Sequence, residues 1–558
     1  MFITISVWLL ITLLTGLYGI GLWQLFKRWS KEKDTSSPSW FFLLFSGLAI
    51  LAFLGNLFSL FLRLHSLTML LLLLGALAMS WFYRREIPLL LHQGFLRLKR
   101  THWLFWLVGG VIVFISLLKT IGPPTNWDSG LYHAQAIRWM ESYPTVPGLG
   151  NLLDELAFNS SWLTLNALFS FPYLFGQSLH GLTGWLFLVM SLFFLSKLPP
   201  LLEGKFSLSA LAALLFLFLA RRLLLWELSS PGTDAPATLM IWGLALISLE
   251  SFEQTTVKKY AFLLTVLLAI FTITIKLSAL PALLWILFIG FQIPRQDRKT
   301  TWTAATLAVF LFLLPWLARN VILSGYLVYP FPALDLFSFD WKVPPSAARD
   351  AAEWIRAWAR LPGIDKELTL SYSLFEWLPL WYNHQQTFDL TILLASLTAF
   401  VLLLLSQPFA PKQVTPLQLT IGALVGVGFW FWQAPDFRFG YGFIGALLAC
   451  SLAGLGAVMS RSISPRLMSK LALLALLVFI VYQMPKLTNA DEILSSYPIR
   501  PADYPESDLE LVQLNNFALY VPENYQCWYA PLPCSPYYPE TLFLRSDSLS
   551  DGFKTGSP

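Results

Sequence analysis

Residues 1–33 read MFITISVWLLITLLTGLYGIGLWQLFKRWSKEK. The apolar run 3–26 is long enough for an α-helix that crosses a bilayer, which needs about 20 residues. No Lys or Arg precedes it and no small-x-small cleavage site follows it, so it reads as a retained span rather than a removed signal. Lys27, Arg28, Lys31 and Lys33 come directly after it. Positive charge collects in the cytoplasmic loops of membrane proteins, so this reading sets the N-terminus outside and the loop inside.

The rest of the chain repeats this pattern. Of 558 residues, 56% are hydrophobic and only 12% charged, and the mean hydropathy is +0.62. Soluble domains carry roughly 25% charged residues, so a soluble shell is excluded here. Disorder, a disulfide-rich secreted scaffold and a nucleic-acid binder are excluded on the same grounds. Fourteen apolar stretches, from 3–26 to 471–484, predict an all-α polytopic membrane protein with about 12–14 transmembrane helices. The stretch 161–177 is shorter and broken by Pro172, and is expected to be re-entrant or interfacial.

Alternation from the first span makes seven short loops cytoplasmic, and these hold 20 Lys and Arg against six acids. It places 119–160, 319–387 and the tail 485–558 outside, so both termini face out. Residues 1–484 form the membrane module and 485–558 an extracytoplasmic tail. The chain shows no nucleotide-binding glycine pattern and no metal-ligand spacing of His. No cofactor is evident, and whether a divalent metal takes part stays open. Any chemistry is expected on the outer face, with a substrate that the membrane delivers.

The outer segments carry the candidate residues. In 126–139, NWDSGLYHAQAIRW, Asp128 opens a helical stretch 129–142 whose apolar stripe suits the membrane surface. Asp128 reads either as its N-cap or as a carboxylate placed for chemistry. His133 and Arg138 read either as a solvated face or as ligand contacts, and Arg138 is spaced to pair with Glu141. Asp234, before the span after Pro236, has the same two readings as Asp128. Lys276, in KLSALP, either snorkels or faces a cavity that holds an anion. Asp436 and Arg438, in APDFRF, read as a local ion pair or as ligands. Arg319 directly follows a span and can snorkel or fork a phosphate. A helix at 345–360, with Trp354 and Trp358 on one side, is expected at the interface as a lid or scaffold. Cys527 and Cys534, in CWYAPLPC on the oxidising side, predict a disulfide.

These motifs together resemble the outer loops of GT-C integral-membrane glycosyltransferases. The likeness is carried by NWDSGLYHAQAIRW, KLSALP at 276–281, SGYLVYPFP after Arg319 and APDFRF at 434–439, and it covers about 119–440. It departs at Asp128, which is followed by Ser129 where many relatives have an acidic pair. The resemblance implies transfer of a sugar from a polyprenyl-phosphate donor to a glycan, lipid or protein acceptor, in the inner membrane of a bacterium. Membrane lipids are the other expected partners, and nucleic acid is not one. Asp128 would be the general base, which typically contributes roughly 10²–10⁴-fold. Arg138, Lys276, Arg319 and Arg438 would face the leaving phosphate, His133 would position substrate, and Asp234 and Asp436 would contact sugar hydroxyls. A glycan polymerase or ligase of another membrane fold would share the lipid-linked substrate. A flippase or transporter would want ionisable residues near mid-membrane and an internal repeat. A membrane protein without chemistry leaves the outer-turn charges unexplained.

Overall fold

The computed structural model describes residues 1–31, 38–99, 102–254, 257–409, 416–486 and 489–556. Lys33 of the first inner loop, with its neighbours Glu32 and Asp34, lies outside the described residues. Among the described residues, nine helices are long and apolar enough to cross a membrane. The number is ten if Ser66–Phe82 and the following helix, bent by 86° at their junction, make one span. The protein is thus mostly helical and multi-pass in character.

All fourteen apolar stretches fall on helical segments, but fewer than the expected 12–14 reach spanning length. Lys259–Ile275 and Leu417–Gln433 have 17 residues each, and Leu208–Leu223 has 16. At 1.5 Å per residue such helices cover about 25 Å, short of the ~30 Å hydrocarbon core. The stretch 277–292 is divided into a 3-10 segment, Leu277–Ala282, and the short helix Leu283–Phe291. The stretch 161–177 is a buried helix, Ser161–Leu168, that breaks before the single turn Pro172–Phe175.

Helix Phe2–Ser30 lies directly on Trp40–Ser59. A Cβ at Gly19 would stand 2.0 Å from the Leu43 carbonyl oxygen, and one at Gly47 would stand 1.7 Å from that of Thr15. The two backbones touch there, and only small residues allow such an approach between membrane helices. Phe437–Met459 is central, packing against Leu208–Leu223, Asp234–Glu253, Thr387–Ser406 and Leu417–Gln433.

The short loops meet at one end of the bundle. Lys197 pairs with Glu250 there, and Lys259 with Asp297 at 3.1 Å. The Glu253 carboxylate accepts from Leu208 N and Ser209 Oγ, and Ser469 Oγ donates to Leu202 O. The long segments meet at the other end.

The tail corrects the all-α expectation. Leu509–Leu514 and Phe517–Pro522 form an antiparallel hairpin across Asn515-Asn516, where Asn515 has φ +46°, a conformation that Asn tolerates better than most residues. Leu542–Leu544 pairs with Phe553–Thr555. Cys527 is bonded to Cys534. The buried Leu519, Leu542 and Phe553 pack with Trp139, Leu149 and Leu152 of the first long loop.

This cover changes the setting of helix Ala134–Ser142, which was expected to lie on the membrane surface. Ile137 and Met140 are buried, and the helix packs against Ser161–Leu168. Its polar side is covered by the tail, with Gln135 Nε2 donating to Trp528 O and Ala530 O at 3.0 Å each. Arg138 and Glu141 do not pair directly, because Tyr529 stands where they would meet. Arg138 donates to the Tyr529 carbonyl and lies 4.4 Å from its ring centre. The Glu141 carboxylate accepts from Tyr529 OH at 2.9 Å and Ser178 Oγ at 2.5 Å. Burial pushes the Glu141 carboxyl up to about 7, against the opposing effect of these hydrogen bonds. The N-terminal ammonium joins the same face by donating to Tyr497 O at 2.8 Å.

Two outcomes are expected. A carboxyl raised on folding binds its proton more tightly in the native state, so its stabilising share is full below the unfolded value and is lost as pH rises through about 7. Glu141→Gln keeps an uncharged hydrogen-bonding group there. Its unfolding midpoint should match the wild type near pH 4 and exceed it increasingly up to pH 8, measured by thermal unfolding of both proteins in the same buffers. The second outcome concerns the two ends of the bundle. Single cysteines replacing Lys205 and Glu540, both exposed, should react with an impermeant thiol reagent from opposite sides of sealed membranes. The native cysteines give little background, since Cys450 is buried and the other two are bonded.

Candidate functional site

The first outer loop turns into its helix at Asn126. Asn126 Oδ1 accepts from Asp128 N at 2.9 Å, and its carbonyl accepts from Ser129 N at 3.0 Å. Asn126 is therefore the capping side chain, and the Asp128 carboxylate makes no cap hydrogen bond. A π-turn, Ser129–His133, follows before the α-helix. Asp128 Oδ2 instead accepts from Arg438 Nη1 at 3.2 Å, from a residue 310 positions later.

Arg438 stands in the first turn of Phe437–Met459, and Asp436 caps that helix by accepting from Arg438 N at 3.0 Å. Asp436 Oδ2 also accepts from Arg438 Nε and Nη2 at 3.3 and 3.2 Å. The expected local ion pair forms, and the same guanidinium reaches on to Asp128. One cation thus holds two carboxylates from distant segments.

A second pair lies beside it. Asp234 begins helix Asp234–Glu253 and is 7% exposed. It does not cap the helix; Glu227 does, with Oε2 accepting from Ala235 N at 3.1 Å. The Asp234 carboxylate pairs with Lys276 Nζ. Lys276 ends helix Lys259–Ile275, and its ammonium lies 3.6 Å from the Phe439 ring centre, a cation–π contact.

His133 is buried next to these pairs. Burial lowers it to about 4 against the opposing pull of Asp128 and Asp234, so the ring is neutral at neutral pH. Its Nδ1 is 3.3 Å from Ser129 Oγ, and its Nε2 has no partner among the described residues.

Asp128, His133, Asp234 and Lys276 line a cavity of about 270 Å³ that opens to the surface. Leu163, Ile273, Trp316, Phe429 and Trp430 add apolar lining, and Ile355 of helix Pro345–Arg360 also lines the cavity. Trp354 and Trp358 of that helix are about half exposed. Asp436 and Arg438 sit behind Asp128 rather than on the cavity wall. Arg138 and Arg319 do not line the cavity. Arg138 holds the tail, and Arg319 is buried among neutral partners.

Two acids that the sequence reading passed over stand close by. Glu227 is 2% exposed, and burial, then Asp234, push it up to about 8. Glu155 is pushed up to about 9 by burial and by Asp154, while Tyr537 OH donates to it at 3.3 Å. The half-buried Tyr132, on the cavity wall, is held well above the ordinary tyrosine range by desolvation and by Asp128, Asp234 and Glu155. The adjacent acids Asp154-Glu155 were the available signal for one. Glu227 had none, since capping from eight residues upstream follows no sequence pattern. Among the described residues no group of three or more His, Cys, Asp or Glu is placed to hold a metal ion.

The Asp234–Lys276 pair sets a stability test. Removing one partner of a buried pair leaves an uncompensated charge, at a cost of about 3 kcal/mol. Lys276→Met should therefore lower stability markedly, while Lys276→Met with Asp234→Asn should recover most of it in a thermal or denaturant series.

No curated protein and no solved structure matches the chain. One family model does, over residues 1–445, which include every cavity residue named above and end before the tail. The chain belongs to that family, described as a domain of unknown function, DUF8201.

Proposed function

We propose that the protein is an integral-membrane glycosyltransferase of GT-C type. It moves a sugar from a polyprenyl-phosphate donor to an acceptor hydroxyl on the outer face. The observation that carries this reading is a cavity whose lining combines two carboxylates and a lysine with apolar side chains. A donor of this class has the matching halves, a charged phosphosugar and a prenyl chain.

The chemistry follows from the residues. Arg438 binds one oxygen of the Asp128 carboxylate, leaving the other to take a proton. The acceptor hydroxyl gives up that proton to Asp128 as its oxygen bonds to the anomeric carbon. The bond from that carbon to the donor phosphate breaks, and the phosphate leaves with the electron pair. Lys276, the cation among the lining residues, meets that growing charge. Asp234 orients the ammonium, and the Asp234–Lys276 contact loosens as phosphate competes for it. Neutral His133 offers a ring nitrogen to a sugar hydroxyl.

Asp128→Asn tests this directly. Asn126 supplies the cap, so the loop keeps its shape. The base is lost, and transfer should fall by about 10²-fold or more. Deletion in the native host, followed by mass analysis of surface glycans, lipids and proteins, should reveal a missing sugar. The wild-type chain should restore that sugar and Asp128→Asn should not, at equal membrane levels. Full restoration by the Asn variant would reject the assignment.

A further inference from the structure

Among the described residues, the bundle contains a positive charge that no carboxylate pairs with. Arg319 lies in helix Arg295–Ser324 and is 3% exposed. Its Nε donates to Asn159 Oδ1 at 3.0 Å, and Nη1 donates to Ser59 Oγ at 2.5 Å and Thr145 Oγ1 at 2.8 Å. Its Nη2 is 3.2 Å from Met140 Sδ. All four partners are neutral, and no ion pair among the described residues includes Arg319. A guanidinium has five N–H groups. Here one goes to a weak sulfur acceptor and another is left over. Arginine does not give up its proton, so a buried arginine needs a counter-charge.

A second, much smaller cavity of about 20 Å³ abuts this guanidinium and shares Phe158, Asn159, Ser160 and Leu163 with the larger one. Leu149, Leu156 and Leu163 give it apolar walls. Trp139 also lines it, is 2% exposed, and has an indole N–H without a partner among the described residues. An arginine and a tryptophan with an orphan donor thus line one small space, and no carboxylate residue lines it. That is the complement of an anion.

We propose that this cavity binds one small monovalent inorganic anion, ordinarily chloride, between the Arg319 guanidinium and the Trp139 indole N–H. One negative charge balances the one positive charge, whereas a phosphate dianion would leave excess charge buried among leucines. The ion fastens the first outer loop, through Trp139, to the bundle helix that carries Arg319. The site does not depend on the proposed transferase activity.

The test uses the purified full chain in detergent, exchanged into gluconate and titrated with chloride at constant ionic strength. The unfolding midpoint should rise by about 2–4 °C once chloride reaches roughly a hundred times its dissociation constant. Trp139→Phe keeps an aromatic ring and loses the N–H, and should need about tenfold more chloride or beyond, the effect of one hydrogen bond to a charged group. Arg319→Met should lose the response. If that variant does not fold, the Trp139→Phe shift and a bromide anomalous peak beside Arg319 Nη2 decide. A midpoint that ignores chloride, an equal response in Arg319→Met, or bromide absent from this cavity would overturn the proposal.

Discussion

Arg438 is where distant parts of the chain are tied together. Its guanidinium joins Asp436, two residues away, to Asp128, 310 residues away. Placing charge beside an apolar bundle is costly unless each group is paired and hydrogen-bonded. The fork meets that condition only when Phe437–Met459 and the first outer loop are in register. The Asp234–Lys276 pair applies the same condition to two further helices. Four segments are therefore fixed about one cavity by electrostatics that tolerates little slack, and the packing of apolar helices supplies the frame.

Much of this was legible because the bilayer reduces sequence reading to length, hydropathy and sidedness. Asp128, Asp234, Lys276, Asp436 and Arg438 sit at helix ends that alternation assigns to one face, and they come together there. Their partners were less legible. The cap at the first loop belongs to Asn126, and the cap at Asp234–Glu253 belongs to Glu227. Both depend on backbone turns that residue type alone does not specify. Arg319 looked like a phosphate ligand because it directly follows a span, and Arg138 because the resemblance implied that role. Their contacts with Tyr529, Asn159 and Ser59 arise from tertiary packing. The tail was read as polar and proline-rich, and its strands were missed although alternating residues flank Asn515-Asn516. Helix count was overestimated because apolar content signals burial as readily as bilayer crossing.

The tail has a part in the site without lining the main cavity. Trp528 N donates to Gly130 O at 2.9 Å, two residues from Asp128. Gln526 Nε2 donates to Trp127 O at 3.2 Å. A Cβ at Gly130 would come within 2.6 Å of the Trp528 ring, so the loop accepts this cover only with glycine there. The backbone on either side of Asp128 is thereby held from the solvent side, while Arg438 holds its carboxylate from the bundle side.

That arrangement has a consequence for biogenesis. Gln135 waits for its acceptor at Trp528 across 393 residues of chain. At ordinary translation rates of about 5–20 residues per second, that gap is on the order of 20–80 s. Through that interval the helix Ala134–Ser142 is already made, and its polar face is bare. The bundle can be inserted before the loop is finished, so a segment synthesised much later completes the surroundings of the first candidate residue. A ribosome that stops before residue 528 would leave a membrane-embedded chain whose Asp128 loop is held from one side only.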